Sequence, residues 1–288
     1  FEGRAAAKGE GKTPFCGEGL TFARKGSILI KKHTKKLCGG AAEGRPMKTE
    51  EFISSLSDIS RKNAYRFDRI RACIPLGRDD AGNVVAAHRE ENPARYHHVC
   101  VTGGGRADFI CRLVLTLSCI YDKSEAGFLV LSPRPEYAEL LRLKNADVTV
   151  PYIRSLADYE AAVTALGELV RVRSMGQGYP RLFVVLDGLE SLSETPADGM
   201  LSSYNACFQA VGASGVEVVT GVELHGSIFG GFPGAFVGIG NCLVTVKGAG
   251  RADVTYVDPD SSLTPPRGIF YPDSPALGAA IDFFNALG

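Results

Sequence analysis

Neither sign of charge dominates this chain. Its 32 basic and 32 acidic residues cancel to a formal net charge of +0. That balance removes the global electrostatic pull toward nucleic acid or an anionic membrane surface. No apolar run reaches the ~18 residues that a membrane-spanning helix needs, and no signal peptide is visible. Eight cysteines are present, but no two of them stand as C-x-x-C. Cys100, Cys111, Cys119 and Cys242 sit in apolar runs, where a thiol acts as a small hydrophobe. With Cys16, Cys38, Cys73 and Cys207 scattered elsewhere, the pattern reads as a reducing compartment rather than a disulfide framework. No G-x-S-x-G accompanies His and acid partners, so no nucleophile elbow is expected. His97 and His98 are neighbours on a predicted strand and face opposite ways, which makes a shared metal ion a poor reading. Neither a catalytic nucleophile nor a metal site is expected.

The chain has 288 residues, 45% of them hydrophobic, enough for one large domain or one and a half. It starts at Phe1, and is read as a piece of something longer. Residues 1–45 are rich in Gly, Lys and Ala, with short strands predicted at Leu20–Ala23 and Ser27–Lys31. Lys31, Lys32, Lys35 and Lys36 make a local basic stretch, read as a solvated strand end or linker. Lys48–Lys62 carries Phe52, Ile53, Leu56 and Ile59 on one face, as an amphipathic helix would. Ile70–Leu76 and Val84–Ala87 read as a hairpin around a turn at Asp79–Asn83.

From residue 97 the pattern becomes strand–helix alternation. Strands are expected at His97–Thr102, Gly127–Leu131, Val148–Val150, Leu182–Leu186, Val216–Thr220, Cys242–Val246 and Val254–Val257. Helices are expected at Ala107–Tyr121, Pro135–Leu143, Ser155–Ser174, residues 198–213 and Ala276–Leu287. The third expected helix places Leu156, Tyr159, Ala162, Val163, Leu166, Leu169 and Val170 inward. Such alternation predicts an α/β fold with a parallel sheet covered on both faces. Ligands of such sheets sit at the carboxyl ends of strands.

Two strand ends draw attention. After the first strand comes Gly103-Gly104-Gly105, then a helix. Backbone N–H groups at such a junction can cradle phosphate. A Walker A loop, G-x-x-x-x-G-K-[ST], also needs a Lys for the phosphates and a hydroxyl for Mg²⁺. Here Arg106 and Ala107 stand in those places, and Asp108 adds negative charge beside them. The bland reading is a tight strand–helix turn. The second strand end, Leu182–Leu186 followed by Asp187, has the Walker B form, whose Asp orders the metal. Gly188 follows it, and the nearest further carboxylate is Glu190. Here the bland reading is a strand-end or helix-cap Asp. The expected arrangement puts Thr102 and Asp187 at the ends of adjacent parallel strands. A second Walker-like spelling, Ala6 to Thr13, has no strand before it, and Pro14 and Gly17 follow where a helix should run.

These residues resemble the FtsK/SpoIIIE family of motor ATPases. Ile74 to Val85 resembles the hairpin that precedes that family's Walker A strand. His98-Val99-Cys100-Val101 resembles the strand itself, and Gly103 to Phe109 the loop G-S-G-K-S-x-F. Against the family pattern the loop is about three residues short. Lys has become Arg106, Ser has become Ala107, and the second Walker B acid has become Gly188. No polar sensor is evident at Val218 to Glu223. These residues also resemble the later domains of type VII secretion motors, which are commonly degenerate. Gly17 to Phe22 resembles a domain-closing strand that recurs at Arg267 to Tyr271.

The resemblance implies a RecA-like P-loop NTPase sandwich with a mostly parallel central sheet and a degenerate nucleotide site. Residues 1–44 would be the tail of a preceding motor domain, 45–64 a linker with a short helix, and 65–288 the next domain. Gly103, Gly104, Gly105, Arg106 and Asp187 would mark the cofactor-binding place, with no resident cofactor and ATP held weakly if at all. The domain would act in substrate recognition, assembly or regulation. Its partners would be neighbouring motor domains and a secreted protein substrate, with DNA disfavoured and no membrane insertion in this segment. It would be the cytoplasmic part of a membrane-anchored parent. Phe229–Phe236 would be either an exposed loop open to a neighbour or a substrate, or a segment packed into the core. Two rivals stand beside this reading. One is an active DNA-pumping ATPase in which Arg106 does the work of Lys. The other is a nucleotide-independent adaptor whose 102–108 loop is filled by side chains.

Overall fold

The computed structural model describes residues 74–87, 98–188, 192, 215–223, 242–256, 263–271 and 277–287, apart from 145, 152, 177 and 249. The expectations for 1–44, 45–64, the 6–13 loop, the Lys31–Lys36 stretch, His97, Glu190, residues 198–213 and Phe229–Phe236 lie outside the described residues. Among the described residues no helix is long and apolar enough to cross a membrane.

Ten strands form one mixed sheet. In chain order they are β1 (Pro75–Arg78), β2 (Val84–Ala86), β3 (His98–Thr102), β4 (Ala126–Leu131), β5 (Asp147–Thr149), β6 (Arg181–Asp187), β7 (Val216–Val222), β8 (Cys242–Gly248), β9 (Arg251–Tyr256) and β10 (Arg267–Phe270). Helices α1 (Arg106–Ile120), α2 (Leu156–Met175) and α3 (Leu277–Leu287) join them. The expected helix over Pro135–Leu143 is a 3-10 helix, Pro135–Arg142, here called η1.

The sheet order is β2-β1-β10-β9-β8-β3-β7-β6-β4-β5. From β8 to β5 every pairing is parallel, and from β8 to β2 every pairing is antiparallel. The central parallel strands β3 and β7 are buried along their whole length, as their largely apolar runs foretell. In the antiparallel part, β1 and β2 are joined by a tight turn. In the β1–β2 turn, Gly82 N–H donates to Asp79 O at 2.9 Å, and Asp79 Oδ1 accepts from Asn83 N–H at 2.8 Å.

Alternation along the strands makes two cores. Val99, Val101, Phe183, Val185 and Val219 face α1, η1 and α3, meeting Phe109, Leu113, Tyr137 and Ile281. Cys100, Val184, Leu186, Val216 and Val218 face α2, meeting Tyr159, Val163, Leu166 and Val170. Each such side chain contributes about 1.5–3 kcal/mol when fully removed from water. Helix α2 starts at a capping box. Ser155 Oγ accepts from Asp158 N–H at 3.2 Å, and Asp158 Oδ2 accepts from Ser155 N–H at 3.1 Å. The buried stripe of α2 is Tyr159, Val163, Leu166, Val170 and Arg173. Leu169, expected inward, is 40% exposed. It falls on the flank of a stripe that continues through Arg173 instead.

One expectation about the sheet is corrected. Thr102 and Asp187 end strands that are not adjacent, because β7 runs between β3 and β6. Any contact across this site must therefore pass over the end of β7.

Candidate functional site

Strands β3, β6 and β7 end on the same side of the sheet, where parallel α/β folds place their ligands. The turn after β3 is short. Arg106 N–H donates to Gly103 O at 3.2 Å, closing a turn over residues 103–106. Gly103 has φ 99, and a Cβ there would lie 2.3 Å from Val246 O on β8. Only glycine fits, because the turn packs directly on the backbone of the neighbouring strand. Gly104 faces open space, and Gly105 caps α1 in the left-handed conformation.

Arg106 is the first residue of α1 and is 4% exposed. Its guanidinium does not point to solvent. Nε donates to Asp187 Oδ1 at 2.7 Å, and Nη1 donates to Glu223 Oε1 at 3.1 Å. Asp187, 1% exposed, is held from its other side as well. Tyr137 Oη of η1 donates to Asp187 Oδ2 at 2.8 Å, and Arg134 Nε lies 3.2 Å from the same oxygen. Arg134 Nη2 stands 3.8 Å from Glu223 Oε1, so the second arginine spans both acids as the first does. Gly221 makes this possible. It pairs with Asp187 across β6 and β7, and a Cβ on it would sit 2.1 Å from Asp187 Oδ1. The carboxylate reaches over β7 through the space a side chain would fill.

The electrostatics follow from that packing. Burial alone would lower the Arg106 pKa; Asp187, with Glu223 behind it, more than offsets this and holds it above the ordinary arginine value. Burial and the Asp187 charge push the Tyr137 phenol up, so its hydroxyl stays a donor. Asp108, expected beside a phosphate, turns back along its own helix. It accepts from Arg112 Nε at 2.8 Å and from Nη2 at 3.0 Å. His98 takes a partner on the neighbouring strand. Its Nε2 lies 2.7 Å from Thr220 Oγ1 between neighbouring strands. Among the described residues no group of three or more His, Cys, Asp or Glu could hold a metal ion.

Of the sequence-predicted residues, the structure brings Arg106 and Asp187 into direct contact and sets Gly103–Gly105 beside them. Four further members escaped the sequence reading: Arg134, Tyr137, Gly221 and Glu223. Arg134 and Glu223 just follow the ends of β4 and β7, so the strand-end rule alone could have flagged them. Tyr137 gave no such signal.

This arrangement is an α/β RecA-like P-loop fold, with a mostly parallel sheet and the glycine turn and acidic strand at one end. It is the fold of the FtsK/SpoIIIE-type ATPase domains found in type VII secretion motors. A Thermomonospora curvata EccC fragment (ATPases 2 and 3, in complex with a signal sequence peptide) superposes with a TM-score of 0.52 at 16% identity, over 71% of this chain and 41% of that one. The cytoplasmic domain of the same type VII secretion ATPase gives 0.51 at 14%, over 74% of this chain and 31% of that one. EssC (ATPases 2 and 3) from Geobacillus thermodenitrificans gives 0.50 at 11%, over 75% and 49%. The chain thus spans less than half the length of each. No family model and no curated protein matches the sequence.

Proposed function

We propose that this chain is a non-catalytic motor-fold domain of a secretion or translocation ATPase, working as a fixed element of assembly or substrate recognition. A magnesium nucleotide needs a cation for its phosphates, a hydroxyl for the metal and a carboxylate able to order the metal's water. The residues present do not fit those needs. Arg106 supports this reading most directly, because the cation in the Lys place is bonded to Asp187, the Walker B acid. Both oxygens of that acid already accept from protein donors. Ala107 offers no metal ligand. The two arginines and two acids of the cluster balance, leaving no surplus positive charge for a phosphate. Removing one group of this kind from a working site costs orders of magnitude in rate.

The partners that suit this role are neighbouring motor domains and a secreted protein segment. The likeness in fold to an EccC fragment in complex with a signal sequence peptide supports the second. The neutral net charge argues against DNA. The direct test is phosphate release from ATP by the purified chain with and without Mg²⁺. The expected rate is indistinguishable between the native chain and Asp187→Asn. Mg²⁺-dependent turnover that disappears in Asp187→Asn would overturn the reading.

A further inference from the structure

We infer that Arg106 is a built-in occupant of the phosphate cradle, a permanent protein tie that replaces a bound ligand between the first helix and the acidic strand. The inference rests on the non-catalytic reading and specifies how the site is regulated: it is held shut by its own side chains. In ligand-gated P-loop switches, phosphate and metal contacts hold mobile elements together, and those elements relax when the contacts go. Here the same join is made without a ligand. The Arg106–Asp187 bond of 2.7 Å runs from the N-terminus of α1 to the end of β6. Its second arm reaches Glu223, just past β7. Tyr137 brings η1 to the same carboxylate. Helix α1, η1 and β6 thus meet at one buried carboxylate, and Arg106 ties in the end of β7, whose glycine leaves the passage open.

Three observations point to occupation rather than to a surface ion pair. The facing side chains are 5% and 0% exposed. Gly103 is packed on the β8 backbone and Arg106 N–H is bonded within the turn, so two features of the loop that would have to open are already engaged. The cluster also carries its own counter-charges, so a phosphate entering it would have to displace a carboxylate from a buried arginine. A buried pair of this kind is costly to break from one side, because it strands a desolvated charge. It is far less costly to remove whole.

That asymmetry provides the experiment. Thermal unfolding of the 288-residue chain is measured for the native sequence, Arg106→Met, Asp187→Asn and the double variant, each with and without Mg-ATP and Mg-pyrophosphate. The native melting temperature is expected to stay put with either probe. Each single variant is expected to lose on the order of 5–10 °C, and the double variant no more than the worse single one. If Arg106→Met does not fold, Arg106→Lys takes its place in the cycle. Additive losses would overturn the tie, and so would a native melting temperature raised by Mg-ATP. Phosphate release from the same samples separates the two claims. Stabilisation by ATP without turnover overturns the tie alone, whereas turnover overturns the non-catalytic reading as well.

Discussion

At the residue scale, the site depends on what Gly221 does not have. Its missing side chain is the opening through which Asp187 reaches Arg106. Gly221→Ala would place a methyl 2.1 Å from the carboxylate oxygen. Overpacking of this kind costs about 1–3 kcal/mol, so the variant should melt roughly 2–10 °C below the native chain, by differential scanning calorimetry. In a strand made of valines, a glycine read from sequence signals only a weak spot or a close approach. It does not say which neighbour approaches, because the β6–β7 register is set by tertiary pairing. For the same reason Arg106 and Asp187 were legible as candidates but their bond was not. Each was identified by comparison with a nucleotide loop, and their contact depends on the turn being too short to hold them apart.

At the element scale, the strongest sequence signals were the apolar strands and the long helix with an apolar face. Strand β6 occupies Arg181–Asp187 against an expected Leu182–Leu186, and α2 begins one residue after its Ser155 cap. These features are local, so the sequence carries them. The 3-10 character of η1 is not local. Its last turn runs into a junction with α3, where Asn285 acts as a two-sided clamp. Asn285 Oδ1 accepts from Lys144 N–H at 3.0 Å, and Nδ2 donates to Arg142 O at 2.9 Å. Arg142 adds an ion pair to Asp282 on the same helix. Asn285→Ala should cost about 1–2 kcal/mol, and amide hydrogen exchange at Lys144 should speed up ahead of the sheet amides. Equal protection at Lys144 in both chains would show that α3 docks by its apolar face, through Ala280 and Ile281, without help from the clamp.

At the scale of the whole molecule, the two-sided core makes buried thiols inert. Burial raises the Cys100 thiol to about 12, and pushes Cys111 and Cys242 up in the same way. All three are buried. Peptide mapping after alkylation near pH 8 should find them unmodified in the folded chain and fully modified in denaturant. The sign of the pH effect follows. The folded thiols stay protonated where the unfolded ones ionise, so their contribution is intact below the unfolded value of about 8.5 and declines as pH climbs toward 12. Chemical denaturation at rising pH should show that decline begin around pH 9. At this scale the sequence foretold the parallel half of the sheet. The antiparallel half was legible only as separate pieces, a hairpin at one end and late strands at the other. Nothing in either piece says that they pair.

That pairing orders the birth of the molecule. Strand β1 meets β10 at Arg78 and Phe270, so among the described strands the earliest hairpin finds no further strand to pair with until the last one has been made. A ribosome must release nearly two hundred intervening residues before the seam can close. Until then β9 offers a bare edge, and the nascent chain depends on shielding that its own sequence has yet to supply.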